Sequence, residues 1–137
     1  MVEGGLDVDP SELSQIPLFA GLSRRDLELV SRHADEATVR AGTVIMREGE
    51  RAMEVLVIVE GTAQVTSEGN VIAELGPGDV VGEIGVAARQ PRVATVEAVT
   101  DLRVVAMFGP EYQELAEDVT ELRARVLAII AERLADQ

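Results

Sequence analysis

A chain of 137 residues, 47% of them hydrophobic, supports one domain with its own core and is too short for two. Its formal net charge of −13 opposes polyanions, so neither nucleic acid nor an anionic membrane surface is expected as a partner, and the lack of cysteine excludes disulfides and thiol chemistry. No apolar run approaches a membrane span and no signal peptide opens the chain, so a cytoplasmic protein is expected.

Met1 to Pro10 is acidic and contains glycine, and residues 1–10 are expected to fray, leaving a single domain over 11–135. Ser11 to Ile16 reads as a short helix with Ser11 as its N-cap. Ile16-Pro17-Leu18-Phe19-Ala20-Gly21-Leu22 is a hydrophobic elbow punctuated by Pro and Gly. Ser23 is the next N-cap, with Asp26 three residues on, and that helix is expected to run to about Ala34. His33 is the single histidine. A metal or catalytic role would need partners that this composition does not supply, so it reads as a solvated helix-end residue.

From Ala37 the hydrophobic period shifts from about 3.6 to 2. Thr38–Arg40, Thr43–Met46, Glu54–Val59, Ala63–Thr66, Val71–Leu75, Val93–Val99 and Leu102–Phe108 read as strands. The turns between them, such as Glu48-Gly49-Glu50 and Gly76-Pro77-Gly78-Asp79, carry glycine. Many short strands with regular turns suggest a closed antiparallel jelly-roll sandwich. After Gly109-Pro110 the period returns to helical: Leu115, Val119, Leu122, Val126, Ile129 and Arg133 recur at steps of four and three, beside a second stripe of Leu127, Ile130 and Leu134. So wide an apolar face needs more than one covering surface. The domain itself, a second protomer in a homodimer, or a ligand beneath a mobile lid can each supply one.

The chemistry concentrates in one stretch. Gly82 and Gly85 bracket Glu83, a helix-competent run from Ile84 to Ala88 follows, and Pro91-Arg92 leads into Val93-Ala94-Thr95-Val96. Glycine lets backbone amides approach a ligand, and a helix start offers unpaired N–H groups and a favourable dipole to an anion. Arg92 can grip two phosphate oxygens with its planar fork. Glu83 would repel a phosphate, so its use is as an acceptor for a neutral donor such as a sugar hydroxyl. One anion and one hydroxyl on one small ligand suggest a nucleotide of low charge. The acidity of the chain does not forbid this, because distant charges are screened over ~8 Å at physiological salt. Taken singly, Glu83 could be a surface acid and Arg92 a strand-edge ion pair.

Gly82-Glu83-Ile84-Gly85 and Pro91-Arg92-Val93-Ala94-Thr95-Val96 resemble the phosphate-binding cassette of cyclic nucleotide-binding domains, including the nine-residue step from Glu83 to Arg92 found in the kinase-type cassettes. The resemblance spans the chain from about Leu13 to the C-terminal helix. It implies a mainly β fold: an antiparallel jelly-roll β-barrel with N-terminal helices and a C-terminal lid helix. It further implies that Arg92 and the amides of Gly85 and Val93 bind a cyclic phosphate, and that Glu83 and the Gly82 backbone bind the ribose 2′-hydroxyl. Ile84, Ala94 and Thr95 complete the cassette, and Leu115, Leu122, Arg123 and Val126 fall at hinge and lid positions.

Cyclic GMP-selective relatives often carry Thr after the arginine. Val93 has no hydroxyl, so cAMP is the expected ligand, with cGMP as the competitor. Many relatives place Phe before Gly-Glu, where this chain has Val81, and the base cap falls to an aliphatic residue, Arg123, Arg125 or Tyr112. No metal, cofactor or catalytic residue is expected, since a phosphodiesterase would need several His and Asp ligands. No helix-turn-helix, kinase loop or channel segment is visible, so output would run through an unidentified effector protein, or the chain is a regulatory subunit or a fragment. The competing reading is a degenerate, ligand-free jelly roll serving as an interaction scaffold.

Overall fold

The computed structural model describes residues 3–7, 9–50, 54–81 and 94–135, and it contains two antiparallel sheets flanked by helices. The first sheet runs in the order β1 (Glu3–Asp7), β2 (Asp35–Val39), β9 (Leu102–Phe108), β4 (Glu54–Glu60), β7 (Val80–Val81). The second runs β3 (Val44–Met46), β8 (Thr95–Ala98), β5 (Ala63–Ser67), β6 (Asn70–Leu75). This is the expected mainly β jelly-roll arrangement with flanking helices, corrected in one respect: the two sheets are not closed into a barrel. Among the described residues, β6 has a neighbour on one side only, and β1 and β7 end the first sheet.

The inner strands β4 and β9 of the first sheet are buried on both faces, which explains their nearly continuous apolar runs. Successive side chains on a strand point to opposite faces. Val55 and Val57 of β4, with Val105 and Met107 of β9, face a core shared with the helices. Leu56 and Ile58, with Leu102 and Val104, face the second sheet, where Val96, Ala98 and Ala63 meet them. A strand buried on both faces has no polar side to alternate with.

The first N-terminal helix departs from expectation at its start. α1 spans Pro10–Leu13, and its N-cap is Asp9 rather than Ser11. The Asp9 carboxylate accepts both the backbone N–H and the hydroxyl of Ser11, each at 2.8 Å. Pro10 suits the first helical position because the N–H it lacks would be unpaired there anyway. Residues 3–7, expected to fray, instead form β1 and pair with β2. An edge of backbone donors and acceptors recruits a strand whatever its side chains, and an acidic, glycine-containing composition does not report that. α2 (Arg24–His33) begins as expected, with the Ser23 hydroxyl accepting the Asp26 N–H at 3.1 Å.

The C-terminal helical pattern is interrupted. α3 (Gly109–Asp118) and α4 (Thr120–Ala135) are separated by Val119, whose φ of −113° and ψ of 85° lie outside the helical region. Asp118 and Thr120 are weak helix formers, and Val119 is buried at the break. The interruption lets Leu115 of α3 and Leu122 and Val126 of α4 enter one cluster with Leu13, Phe19 and Val30. His33 is not simply solvated. Its side chain is 18% exposed and its Nδ1 contacts the Glu111 carboxylate, because the end of α2 packs on the start of α3.

Candidate functional site

The cassette expected from the sequence is anchored at both ends by the strands that flank it. Upstream, β7 pairs with β4 through Leu56↔Val81 and Val57↔Val80. The preceding turn is fixed as well: the Gly78 N–H donates to the Ile58 carbonyl at 2.7 Å, the Ile58 N–H to the Asp79 carbonyl at 2.9 Å, and the Gly76 N–H to Asp79 Oδ2 at 2.8 Å. Val80 and Val81 point to opposite faces, one into the helical core and one between the sheets. Downstream, β8 lies between β3 and β5, with Thr95 opposite Thr66 and Val96 opposite both Val65 and Met46. The segment from 82 to 93 therefore joins the last strand of one sheet to an inner strand of the other.

Gly82, Glu83, Ile84, Gly85, Arg92 and Val93 lie outside the described residues. Ala94 and Thr95 lie within them and are both half-buried. Thr95 opens β8, and its hydroxyl accepts the backbone N–H of Glu48 at 3.0 Å. The Glu48 carboxylate in turn accepts the backbone N–H of Glu68 at 3.1 Å. Sequence reasoning took Glu48-Gly49-Glu50 only as a turn and missed this contact. The signal that could have found it is long-range: three elements meet at the end of the second sheet where β8 begins.

The hinge and lid positions divide. Leu115, Leu122 and Val126 are fully buried in the helical core, whereas Arg123 is exposed. Leu127, on the second stripe, is 51% exposed. Two of the residues considered as base caps are engaged elsewhere. Tyr112 is buried with α3 in the helical core. Arg125 Nη1 donates to the carbonyls of Leu18 at 2.9 Å and Ala20 at 2.7 Å, while its Nε meets Glu121 at 3.2 Å. That guanidinium fastens α4 to the elbow between α1 and α2.

A cleft of about 500 Å³ opens elsewhere, between the elbow at Ile16 and Pro17, the end of β4 at Ile58–Glu60, Arg103, and the Pro77-Gly78 turn. It lies at the Gly78 end of β7, away from the end that leads into residue 82. Among the described residues, no group of three His, Cys, Asp or Glu side chains is placed to hold a metal ion, and no helix is long and apolar enough to cross a membrane.

Two antiparallel sheets flanked by helices define a jelly-roll domain. The family model of the cyclic nucleotide-binding domain matches residues 36–118, from β2 to the last residue of α3, and the chain belongs to that family. The matched family is one of binding domains, and no catalytic family is indicated.

The chain is 35% identical over 98 residues to the Pycsar effector protein XpPycTIR of Xanthomonas perforans, covering 71% of this chain and 32% of that protein. It is 38% identical over 112 residues to a cAMP-dependent protein kinase regulatory subunit of Mycosarcoma maydis, covering 75% of this chain and 21% of that protein. The chain thus spans about a third or less of the length of these relatives. Its fold is similar to that of the Thermus thermophilus catabolite activator protein, with a TM-score of 0.78 and 25% identity over 88% of this chain and 59% of that one.

Proposed function

We propose that this chain is a cAMP-preferring sensor domain whose α4 shifts on binding and passes the signal to a partner protein. The observation that carries the reading is the full cassette, Gly82-Glu83-Ile84-Gly85 with Pro91-Arg92-Val93-Ala94-Thr95-Val96, in a chain of this family. Arg92 neutralises the cyclic phosphate with a two-pronged grip, and amides at Gly85 and Val93 add oriented donors. Glu83 accepts from the ribose 2′-hydroxyl and, being anionic, disfavours polyphosphates such as ATP. Val93 offers the guanine amino group no hydroxyl, which favours adenine.

Movement of α4 requires that the ligand contact its two positions unequally. Arg123, exposed on α4, is a candidate for that contact. A partner is in keeping with the kinase regulatory subunit and the Pycsar effector among the relatives. Leu127, exposed on α4, is a candidate contact for it, or for a second protomer.

The test is calorimetric titration with cAMP, cGMP and 2′-deoxy-cAMP. Tighter binding of cAMP than of cGMP is expected. Glu83→Ala should weaken cAMP by about 1.5–3 kcal/mol, the scale of a hydrogen bond to a charged group, and erase most discrimination against the deoxy analogue. No binding of any cyclic nucleotide would favour the scaffold reading instead.

A further inference from the structure

The hydrogen bonds around Glu48 join three parts of the chain that are distant in sequence. Its backbone N–H donates to the Thr95 hydroxyl, at the first residue of β8, and its carboxylate accepts the N–H of Glu68, at the tip of the β5–β6 hairpin. The tip is a two-residue turn between the paired residues Ser67 and Asn70. Both central residues are left-handed, with φ of 52° at Glu68 and 84° at Gly69, the pattern of a type I′ turn. Glycine is at ease there, but a glutamate is not, because its Cβ crowds the backbone. A charged acceptor on the Glu68 N–H offsets that cost and holds the turn in one place.

The other end of the chain of contacts is the exit of the cassette. A hydroxyl both accepts and donates, so Thr95 can receive the Glu48 N–H and keep a proton for another acceptor. Glu48 therefore links Thr95 to the hairpin tip by a side-chain route that runs beside the direct pairing of Thr95 with Thr66. From this geometry we infer that Glu48 is a positioning residue of the cyclic-nucleotide site, tying the β5–β6 tip to the cassette exit so that ligand and hairpin order each other. The inference rests on the cyclic-nucleotide reading of residues 82–95. Glu48 itself need not touch the ligand: its carboxylate is occupied by the Glu68 amide.

The experiment compares Glu48→Ala with Glu48→Gln. Glutamine keeps an acceptor oxygen at the same reach; alanine removes it, and both keep the backbone donor to Thr95. Amide hydrogen exchange at Glu68 is read in the free and cAMP-loaded protein, together with the cAMP affinity and dissociation rate. In the wild type, cAMP should slow exchange at Glu68. Glu48→Ala should speed that exchange, reduce its response to cAMP and weaken cAMP by about three- to tenfold, with Glu48→Gln restoring most of each. A merely structural role would lower thermal stability without moving affinity or its rescue by glutamine. Wild-type cAMP affinity and dissociation rate in Glu48→Ala would overturn this inference alone. Failure of the wild type to bind any cyclic nucleotide would overturn the parent reading and this one with it.

Discussion

Gly61→Ala isolates a close approach that the fold depends on. Gly61 follows β4 with φ of 98°, and a Cβ added there would lie 2.3 Å from the Asp101 carbonyl oxygen, 2.7 Å from Leu102 Cδ2 and 2.9 Å from Thr100 Oγ1. The nearest atom is backbone, so no rotamer change relieves the clash. The β8–β9 connection would have to move, and with it three hydrogen bonds: Val99 N–H to the Thr62 carbonyl at 2.9 Å, Thr100 N–H to the same carbonyl at 3.2 Å, and Thr62 N–H to Thr100 Oγ1 at 3.0 Å.

Gly69→Ala is the matched control. Its φ is 84°, but nothing lies within 4 Å of the added Cβ, so only backbone strain applies. That strain is worth about 1–2 kcal/mol. Overpacking at Gly61 adds roughly 1–3 kcal/mol, and each loosened hydrogen bond about 1 kcal/mol more if not remade. Gly61→Ala should therefore cost about 2–5 kcal/mol, and about 1 kcal/mol more for each hydrogen bond not remade, against about 1–2 kcal/mol for Gly69→Ala. Urea unfolding of both variants gives the comparison directly. Equal losses would refute the steric argument, leaving conformation as the sole reason for glycine at 61.

Arg92→Lys keeps the charge but loses the fork, and should bind cAMP at least about tenfold more weakly with unchanged thermal unfolding; near-native affinity would mean that charge alone suffices. Arg125→Met removes the donors to Leu18 and Ala20. It should cost about 1–2 kcal/mol in urea unfolding and speed amide exchange in α4, the cost being moderated by partial exposure; no change in either would show that the elbow does not hold α4. The hydrogen bonds from the Ser11 backbone, and then from its hydroxyl, hold the Asp9 carboxyl below its ordinary value of 3.8. A carboxyl depressed in the folded state contributes its stability above the unfolded value and loses it as pH falls through the folded one. Carboxyl NMR of Asp9 should therefore titrate below 3.8; a midpoint at or above that value would contradict the cap.

The amino-acid order by itself determined the local features. The change of period at Ala37 and its return after Pro110 delimited the β region, because side-chain alternation and helical repeat are set by backbone geometry alone. Ser23 with Asp26 marked the start of α2 because capping needs only near neighbours. The family was legible for the same reason: the motif that carries the resemblance lies within one short stretch of residues, and the family model matches over 36–118.

What only the tertiary structure decided was long-range. β1 exists because β2 offers an edge, and β7 is a two-residue strand because β4 lies beside it. The break at Val119 follows from a burial demand that the run of helix-compatible residues does not display. Arg125 reads as a candidate base cap until the elbow carbonyls are brought to it across more than a hundred residues. Glu48 reads as a turn residue until β8 and the β5–β6 tip arrive on either side of it. In each case the deciding partner is remote in sequence, and a side chain's own type says nothing about which distant backbone group will need it.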